Sequence, residues 1–206
     1  MKIKISEIFE SIQGEGKFSG VPMLFIRLYG CTRRCQFCDT VYAIEGNQYQ
    51  EMDTIELIKR IKESELPYIC WTGGEPLLQR EAIKEVKNRT RMYYHHLETN
   101  GDLLGSSDFN LFHYLAISPK NREIAKKVRE LCLGFNPDNW DIKVVTDLDR
   151  VGVNMIKFAT MLMPLTTYDK KKDREICKKV WEYCVENNLK FSPRLQTFIY
   201  GKKRGI

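Results

Sequence analysis

The chain has 206 residues, 43% of them apolar, and a formal net charge of +6 with acids and bases interspersed. That is enough apolar material for a real core, and a single domain over 1–206 is the expectation. No apolar run approaches the ~20 residues that span a membrane and no nucleic-acid module is recognisable. Seven cysteines without a signal-peptide pattern point to a reducing, cytoplasmic setting.

Lys2 to Ile12 alternates Ile3 and Ile5 ahead of Ile8 and Phe9, which predicts a first strand. It runs into Ile12-Gln13-Gly14-Glu15-Gly16, a glycine-rich loop whose backbone can approach a ligand closely. A second strand, Pro22 to Tyr29, carries a single charge, Arg27. A charge there is costly unless paired, so Arg27 is either a salt-bridged structural residue or an anion binder. Residues 41–52 read as polar and irregular. Asp53 then caps a helix with Ile55, Leu57, Ile58 and Ile61 on its inner face and Pro67 at its end. Tyr68–Thr72 reads as a buried strand closed by Gly73-Gly74-Glu75-Pro76, and Gln79–Arg91 as a helix. Strands are expected at 92–97, 111–117, 140–145, 158–163 and 191–200. A helix with Ile124, Val128 and Leu131 in register follows 111–117, and a short one ends near Ile156. A long helix over about 168–187 is expected to bury Ile176, Cys177, Val180, Trp181 and Cys184. Cys70 and Cys132 are also read as buried, the three histidines as core or edge, and the basic runs at 170–172 and 202–204 as solvated.

Strand and helix in alternation argue a parallel sheet, open or curled into a barrel, with ligands at the carboxyl ends of the strands. The polar clusters all fall at those ends: Gln-Gly-Glu-Gly, the cysteine loop, Gly-Gly-Glu-Pro, Glu98-Thr99-Asn100-Gly101 and Ser118-Pro119-Lys120. They read as one composite site.

The cysteine loop is its centre. Cys31, Cys35 and Cys38 stand in a C-x3-C-x2-C spacing after the second strand. A structural zinc site wants four protein ligands, whereas three thiolates can hold a 4Fe–4S cubane by three corners and leave the fourth iron open to an external ligand. Arg33 and Arg34 are expected to lower the thiol pKa values. The alternatives are packed or zinc-binding cysteines.

Cys31-x3-Cys35-x2-Cys38 with Gly-Gly-Glu-Pro resembles the radical S-adenosylmethionine superfamily. Ile12-Gln13-Gly14-Glu15-Gly16, Arg27-Leu28-Tyr29-Gly30-Cys31, Cys38-Asp39-Thr40, Glu98-Thr99-Asn100-Gly101 and Ser118-Pro119-Lys120 narrow the resemblance to the 7-carboxy-7-deazaguanine synthases. The resemblance implies an α/β fold, an incomplete, shortened (β/α) barrel, usually dimeric. It implies a 4Fe–4S cluster on Cys31, Cys35 and Cys38, with S-adenosylmethionine chelating the open iron. One electron from a flavodoxin or ferredoxin would release a 5′-deoxyadenosyl radical, which takes a hydrogen from C6 of 6-carboxy-5,6,7,8-tetrahydropterin. Ring contraction with loss of ammonia would follow, on the way to 7-deazapurine bases of tRNA.

Carried over residue by residue, Phe37, Asp39, Gly74, Ser118, Pro119 and Lys120 would bind S-adenosylmethionine, joined by Met163 and Pro164 at a strand end. Ile12, Gln13, Gly14, Glu15, Arg27, Thr72, Gln196 and the terminal Ile206 would bind the pterin, Arg27 through its carboxylate. Thr40 would ligate magnesium beside Asp39, and Glu98 would meet the cofactor ribose or handle a proton. This chain has Met163 where relatives often place Gln, and Gln196 where many place His. A glycyl-radical activase and a zinc or electron-transfer module are the rival readings.

Overall fold

A computed structural model of the chain describes residues 1–36 and 38–205. Among them, nine strands form one open sheet in the order β3-β1-β2-β4-β5-β6-β7-β8-β9. The strands are β1 (Lys2–Ile12), β2 (Pro22–Leu28), β3 (Gln50–Asp53), β4 (Tyr68–Gly73), β5 (Tyr94–Thr99), β6 (Tyr114–Ile117), β7 (Trp140–Thr146), β8 (Met161–Pro164) and β9 (Lys190–Phe191). β1 pairs antiparallel with β2 and β3, and every pairing from β2 to β9 is parallel. The helices are α1 (Thr54–Glu63), α2 (Arg80–Arg89), α3 (Asp108–Leu111), α4 (Arg122–Cys132), α5 (Lys170–Glu186) and α6 (Leu195–Tyr200).

Period-two alternation along the strands divides the chemistry. Ile69 and Trp71, Leu97, Ile142 and Val144, and Leu162 join the main core with Leu57, Ile58, Ile61, Ile83, Val86, Val128 and Val180 of the helices. The intervening residues Thr72, Glu98, Lys143, Val145 and Met163 face a cavity on the other side. The sheet curls far enough for its two ends to meet, since Leu195 N donates to Gly14 O (3.0 Å) and Gly16 N to Ser192 Oγ (2.9 Å). No strand pairing closes the gap among the described residues, so the barrel is incomplete.

Several sequence expectations shift. Residues 50–53 form β3, polar because it is an edge strand on which only Met52 is buried. Asp53 does cap α1, accepting from Ile55 N at 2.9 Å, but Ile55 is exposed and Thr54 takes the inner position. The helix ends at Glu63, ahead of Pro67. In α5 the buried stripe runs through Ile176, Val180, Tyr183 and Cys184, which turns Cys177 outward and leaves Trp181 exposed against the Phe191 ring. The last strand stops at Phe191, because Pro193 cannot donate to a ladder, and Leu195–Tyr200 coils into α6 instead. A 3-10 stretch, Val153–Phe158, delays β8 to Met161. The basic tail at 202–204 is exposed, as expected, with Arg204 lying 3.7 Å over the Tyr42 ring and Lys202 4.5 Å over Tyr168.

At Gly14 an added side chain would displace the end of the Gln196 side chain and crowd that residue's backbone. A Cβ there would stand 1.8 Å from Gln196 Oε1 and 3.0 Å from Gln196 N. Gly14→Ala is expected to swing the Gln196 side chain off Glu15, loosen α6 and raise chymotryptic cleavage at Phe198 and Tyr200, while the urea midpoint of the core stays put. An unchanged cleavage rate would contradict the contact.

His95 is built into the core as a neutral ring. Trp71 Nε1 donates to its Nδ1 (3.0 Å) and its Nε2 lies 2.9 Å from Thr90 O. Burial pushes its pKa down from 6.5 to about 4. The unfolded chain therefore binds the proton first: this contribution to stability is full above about pH 6.5 and is lost as pH falls towards 4, with each unit worth about 1.4 kcal/mol. Urea unfolding as a function of pH should show that slope, and His95→Gln should flatten it. An equal slope in the variant would refute the assignment.

Candidate active site

A cavity of about 550 Å3 opens at the carboxyl ends of the parallel strands. Its wall nearest β2 is the cysteine loop, with Cys31, Cys35 and Cys38 all on the lining together with Asp39 and Thr40. Three ties hold this loop to the sheet. Gly73 and Gly74 bring the end of β4 so close to the end of β2 that added Cβ atoms would stand 2.1 Å from Leu28 O and 2.0 Å from Gly30 O. Glu75, fully buried, accepts from Thr99 Oγ1 (2.8 Å), Asn100 N (2.8 Å) and Leu77 N (3.0 Å), latching the β4 loop to the end of β5. Arg33 forms a bidentate pair with Asp102 (Nη2–Oδ1 2.7 Å, Nε–Oδ2 2.8 Å), and Asn100 Nδ2 donates to Thr32 Oγ1 at 3.0 Å and approaches Cys31 Sγ at 3.8 Å.

The expectation that Arg33 lowers a thiol holds, although both arginines also have acid partners of their own. Arg33 is paired with Asp102 and Arg34 with Glu45 (2.9 Å). Burial pushes the Cys35 thiol up, and the cation that opposes it first is Lys120, ahead of Arg33.

Opposite the cysteines stands a chain of buried charges. Lys143, on β7 and 2% exposed, donates to Glu15 Oε2 (2.6 Å) and Glu98 Oε2 (3.0 Å). Glu15 Oε1 also accepts from Gln196 Nε2 (2.7 Å) and Arg194 Nε (3.3 Å), and Arg194 reaches on to Asp39. Gln13 is spent within the site, its Oε1 accepting from Glu15 N (3.1 Å) and its Nε2 donating to Glu98 Oε1 (3.3 Å). Burial alone would raise both carboxyls. Together their partners outweigh it, Lys143 first at each, then Arg194 and Gln196 at Glu15 and His96 at Glu98, so Glu15 falls to about 2 and Glu98 below its ordinary value.

Arg27 realises its structural reading: its Nε donates to Glu7 Oε2 (2.8 Å), directly across the β1–β2 ladder. It also lines the cavity, and among the described residues its terminal nitrogens make no protein hydrogen bond. Ile12, Gln13, Gly14, Glu15, Thr72, Gly74, Glu98, Ser118, Lys120, Met163 and Gln196 line the same cavity. Pro119 and Pro164 are buried just behind it. Phe37 and Ile206 lie outside the described residues. Sequence reasoning missed Lys143, Arg194 and Asp102, and gave Asn100 no role beyond its place in a polar cluster. Lys143 carried a usable signal, a lone cation in the apolar run Ile142–Val145, the same signal that singled out Arg27.

Residues 25–191 match the family model described as the Radical SAM superfamily. The 7-carboxy-7-deazaguanine synthase of Thermoplasma acidophilum is 47% identical over 100 residues, a stretch covering 48% of this chain and 47% of that one. That of Buchnera aphidicola subsp. Schizaphis graminum is 34% identical over 97% of this chain and 99% of its own. The crystal structure of QueE from Escherichia coli superposes with a TM-score of 0.59 over 93% of each chain at 19% identity, a likeness of fold. With a superfamily match over most of its length and a full-length relative of this kind, the chain belongs to the radical SAM superfamily and, within it, to the 7-carboxy-7-deazaguanine synthases.

Proposed function

We propose that this enzyme converts 6-carboxy-5,6,7,8-tetrahydropterin to 7-carboxy-7-deazaguanine with loss of ammonia, a step towards 7-deazapurine bases of tRNA. The observation that carries the reading is the convergence of three thiols, a strand-borne arginine and the Gln13–Glu15 loop on one cavity.

The donor set fits the cofactors of the superfamily. Among the described residues, no three His, Cys, Asp or Glu side chains converge where one ion could take them all. A cubane, in which each thiolate takes a separate iron, does not ask them to. Cys31, Cys35 and Cys38 would hold the 4Fe–4S cluster. Phe37, Asp39, Gly74, Ser118, Pro119, Lys120, Met163 and Pro164 would surround S-adenosylmethionine. When bound and reduced by one electron, the pair supplies hydrogen-abstracting radical chemistry.

The chain's own residues then bind and orient the substrate. Arg27, fixed at Nε by Glu7, has its terminal nitrogens left for the substrate carboxylate, the bidentate pairing that guanidinium favours. Glu15 is an ionised acceptor for pterin N–H groups. Gln196 Oε1, buried without a partner, is a second acceptor, in the position where many relatives place His. Ile12, Gly14 and Thr72 shape the slot, and Ile206 would close it. Glu98, ionised and held by Lys143, suits a hydroxyl of the cofactor ribose better than the role of proton donor. Thr40 presents a hard oxygen for magnesium, which keeps most of its waters; Asp39 beside it is paired with Arg194. We also propose a homodimer, a flavodoxin or ferredoxin as electron donor, one domain over 1–206 and a cytoplasmic location.

Anaerobic incubation with S-adenosylmethionine, reductant, magnesium and the carboxytetrahydropterin should yield carboxydeazaguanine; glycyl-radical formation in a partner protein with no pterin turnover would favour the activase instead. Thr40→Ala should lower the magnesium stimulation of turnover while sparing reductive cleavage of S-adenosylmethionine. A metal response equal to that of the unaltered chain would remove Thr40 from the magnesium site.

A further inference from the structure

We infer that Lys143 is a positioning residue, whose ammonium fixes Glu15 and Glu98 as a pair of ionised acceptors across the cavity and so makes pterin affinity insensitive to pH. The inference rests on the reading of Glu15 as a pterin contact. Its ground is geometric. Lys143 Nζ pairs with both carboxylates at once, at 2.6 Å from Glu15 Oε2 and 3.0 Å from Glu98 Oε2, where the neutral Gln13 amide links the loop after β1 to Glu98 only at 3.3 Å. All three side chains are mostly shielded from water, with 3%, 16% and 18% exposure.

As a device for stability alone, the trio would be a poor one. Taking each ion out of water costs several kcal/mol, and well-packed apolar side chains of similar volume are often as stable. What an apolar side chain cannot do is hold two carboxylates at a set separation with their charges intact. The charged and titratable groups facing this point include Arg27 on β2, Cys70 on β4, His96 on β5, Tyr114 on β6, Lys120 after β6 and Arg194 ahead of α6. None replaces Lys143. Arg194 reaches only Glu15 and Asp39. His96 Nε2 lies 3.2 Å from Glu98 Oε1 and helps to lower that carboxyl, but it does not reach Glu15, and its ring nitrogens make no hydrogen bond of good geometry among the described residues. Without the ammonium, burial is opposed more weakly, by Arg194 at Glu15 and by His96 at Glu98, and a proton taken up by the pair costs Glu15 its charge as a pterin acceptor.

The test is equilibrium binding of 6-carboxy-5,6,7,8-tetrahydropterin to cluster-reconstituted protein, anaerobically and without reductant, across the neutral range. The ratio of variant to unaltered Kd at each pH cancels the titration of the ligand itself. For Lys143→Met this ratio should climb about 10-fold for each unit of acidification below the raised carboxyl pKa. For Lys143→Arg, which keeps the charge, it should stay flat, with Kd raised at every pH because the longer planar head alters the spacing. The arginine variant keeps the test decisive if the methionine variant fails to fold. A flat ratio for methionine, or an arginine variant whose ratio depends on pH or whose Kd equals that of the unaltered protein, overturns the inference alone. No pterin binding by the unaltered protein overturns the proposed function and this inference together.

Discussion

The geometry of the cavity depends on one ammonium between two carboxylates. Lys143 stands at the centre of β7, Glu98 at the end of β5 and Glu15 in the loop that β1 feeds, so their contact measures how far the sheet has curled. A flatter sheet would part them and leave ions buried without partners, which is far more costly than burying them paired. The backbone link from Leu195 to Gly14 and the hydroxyl link from Ser192 to Gly16 set the same distance from outside. The open barrel is thus held at the rim by polar contacts where a closed barrel would use a strand ladder. Its mouth is left free for ligands.

The cysteine wall answers to a separate constraint. A loop carrying three thiols has little apolar surface of its own, and its position comes from the strand ends beneath it. Gly73 and Gly74 let two strand ends touch, Glu75 joins the next strand to them, and Asp102 grips Arg33 from the turn after β5. Each tie comes from a polar cluster at a strand end. Such clusters do double duty, lining the cavity on one side and locking neighbouring loops on the other. Rigid elements carrying mutually braced loops are the arrangement that keeps reacting groups in register.

Much of this was legible in the chain itself, for physical reasons. Strands buried on both faces read as apolar runs, so Arg27 and the glycine pair stand out against them. The cysteine spacing speaks through valence, three donors where zinc wants four. What escaped notice were relations between distant residues. Arg33 looks like a charge for the thiols alone, yet Asp102, 69 residues on, holds its guanidinium as well. Phe198, Ile199 and Tyr200 have strand-forming side chains, and the override lies in Pro193, which ends the ladder and delivers Arg194 and Gln196 to the rim. Cys177 shares a seven-residue spacing with Cys184, yet the stripe through Ile176 and Val180 decides which face of α5 is buried. Lys143 could have been found by the argument applied to Arg27; its two acid partners could not, because they sit 128 and 45 residues away.

The central claim is that one rim carries both a cluster anchored at three corners and the grip on a carboxylated pterin. The most direct measurement is electron density from crystals grown anaerobically with S-adenosylmethionine and 6-carboxy-5,6,7,8-tetrahydropterin. The account expects a cubane on Cys31, Cys35 and Cys38 whose fourth iron is met by S-adenosylmethionine, and a pterin against the Glu15–Gln196 wall with its carboxylate on Arg27. A cluster capped by a fourth side chain, a zinc ion on the cysteines, or a pterin bound away from Arg27 would contradict it.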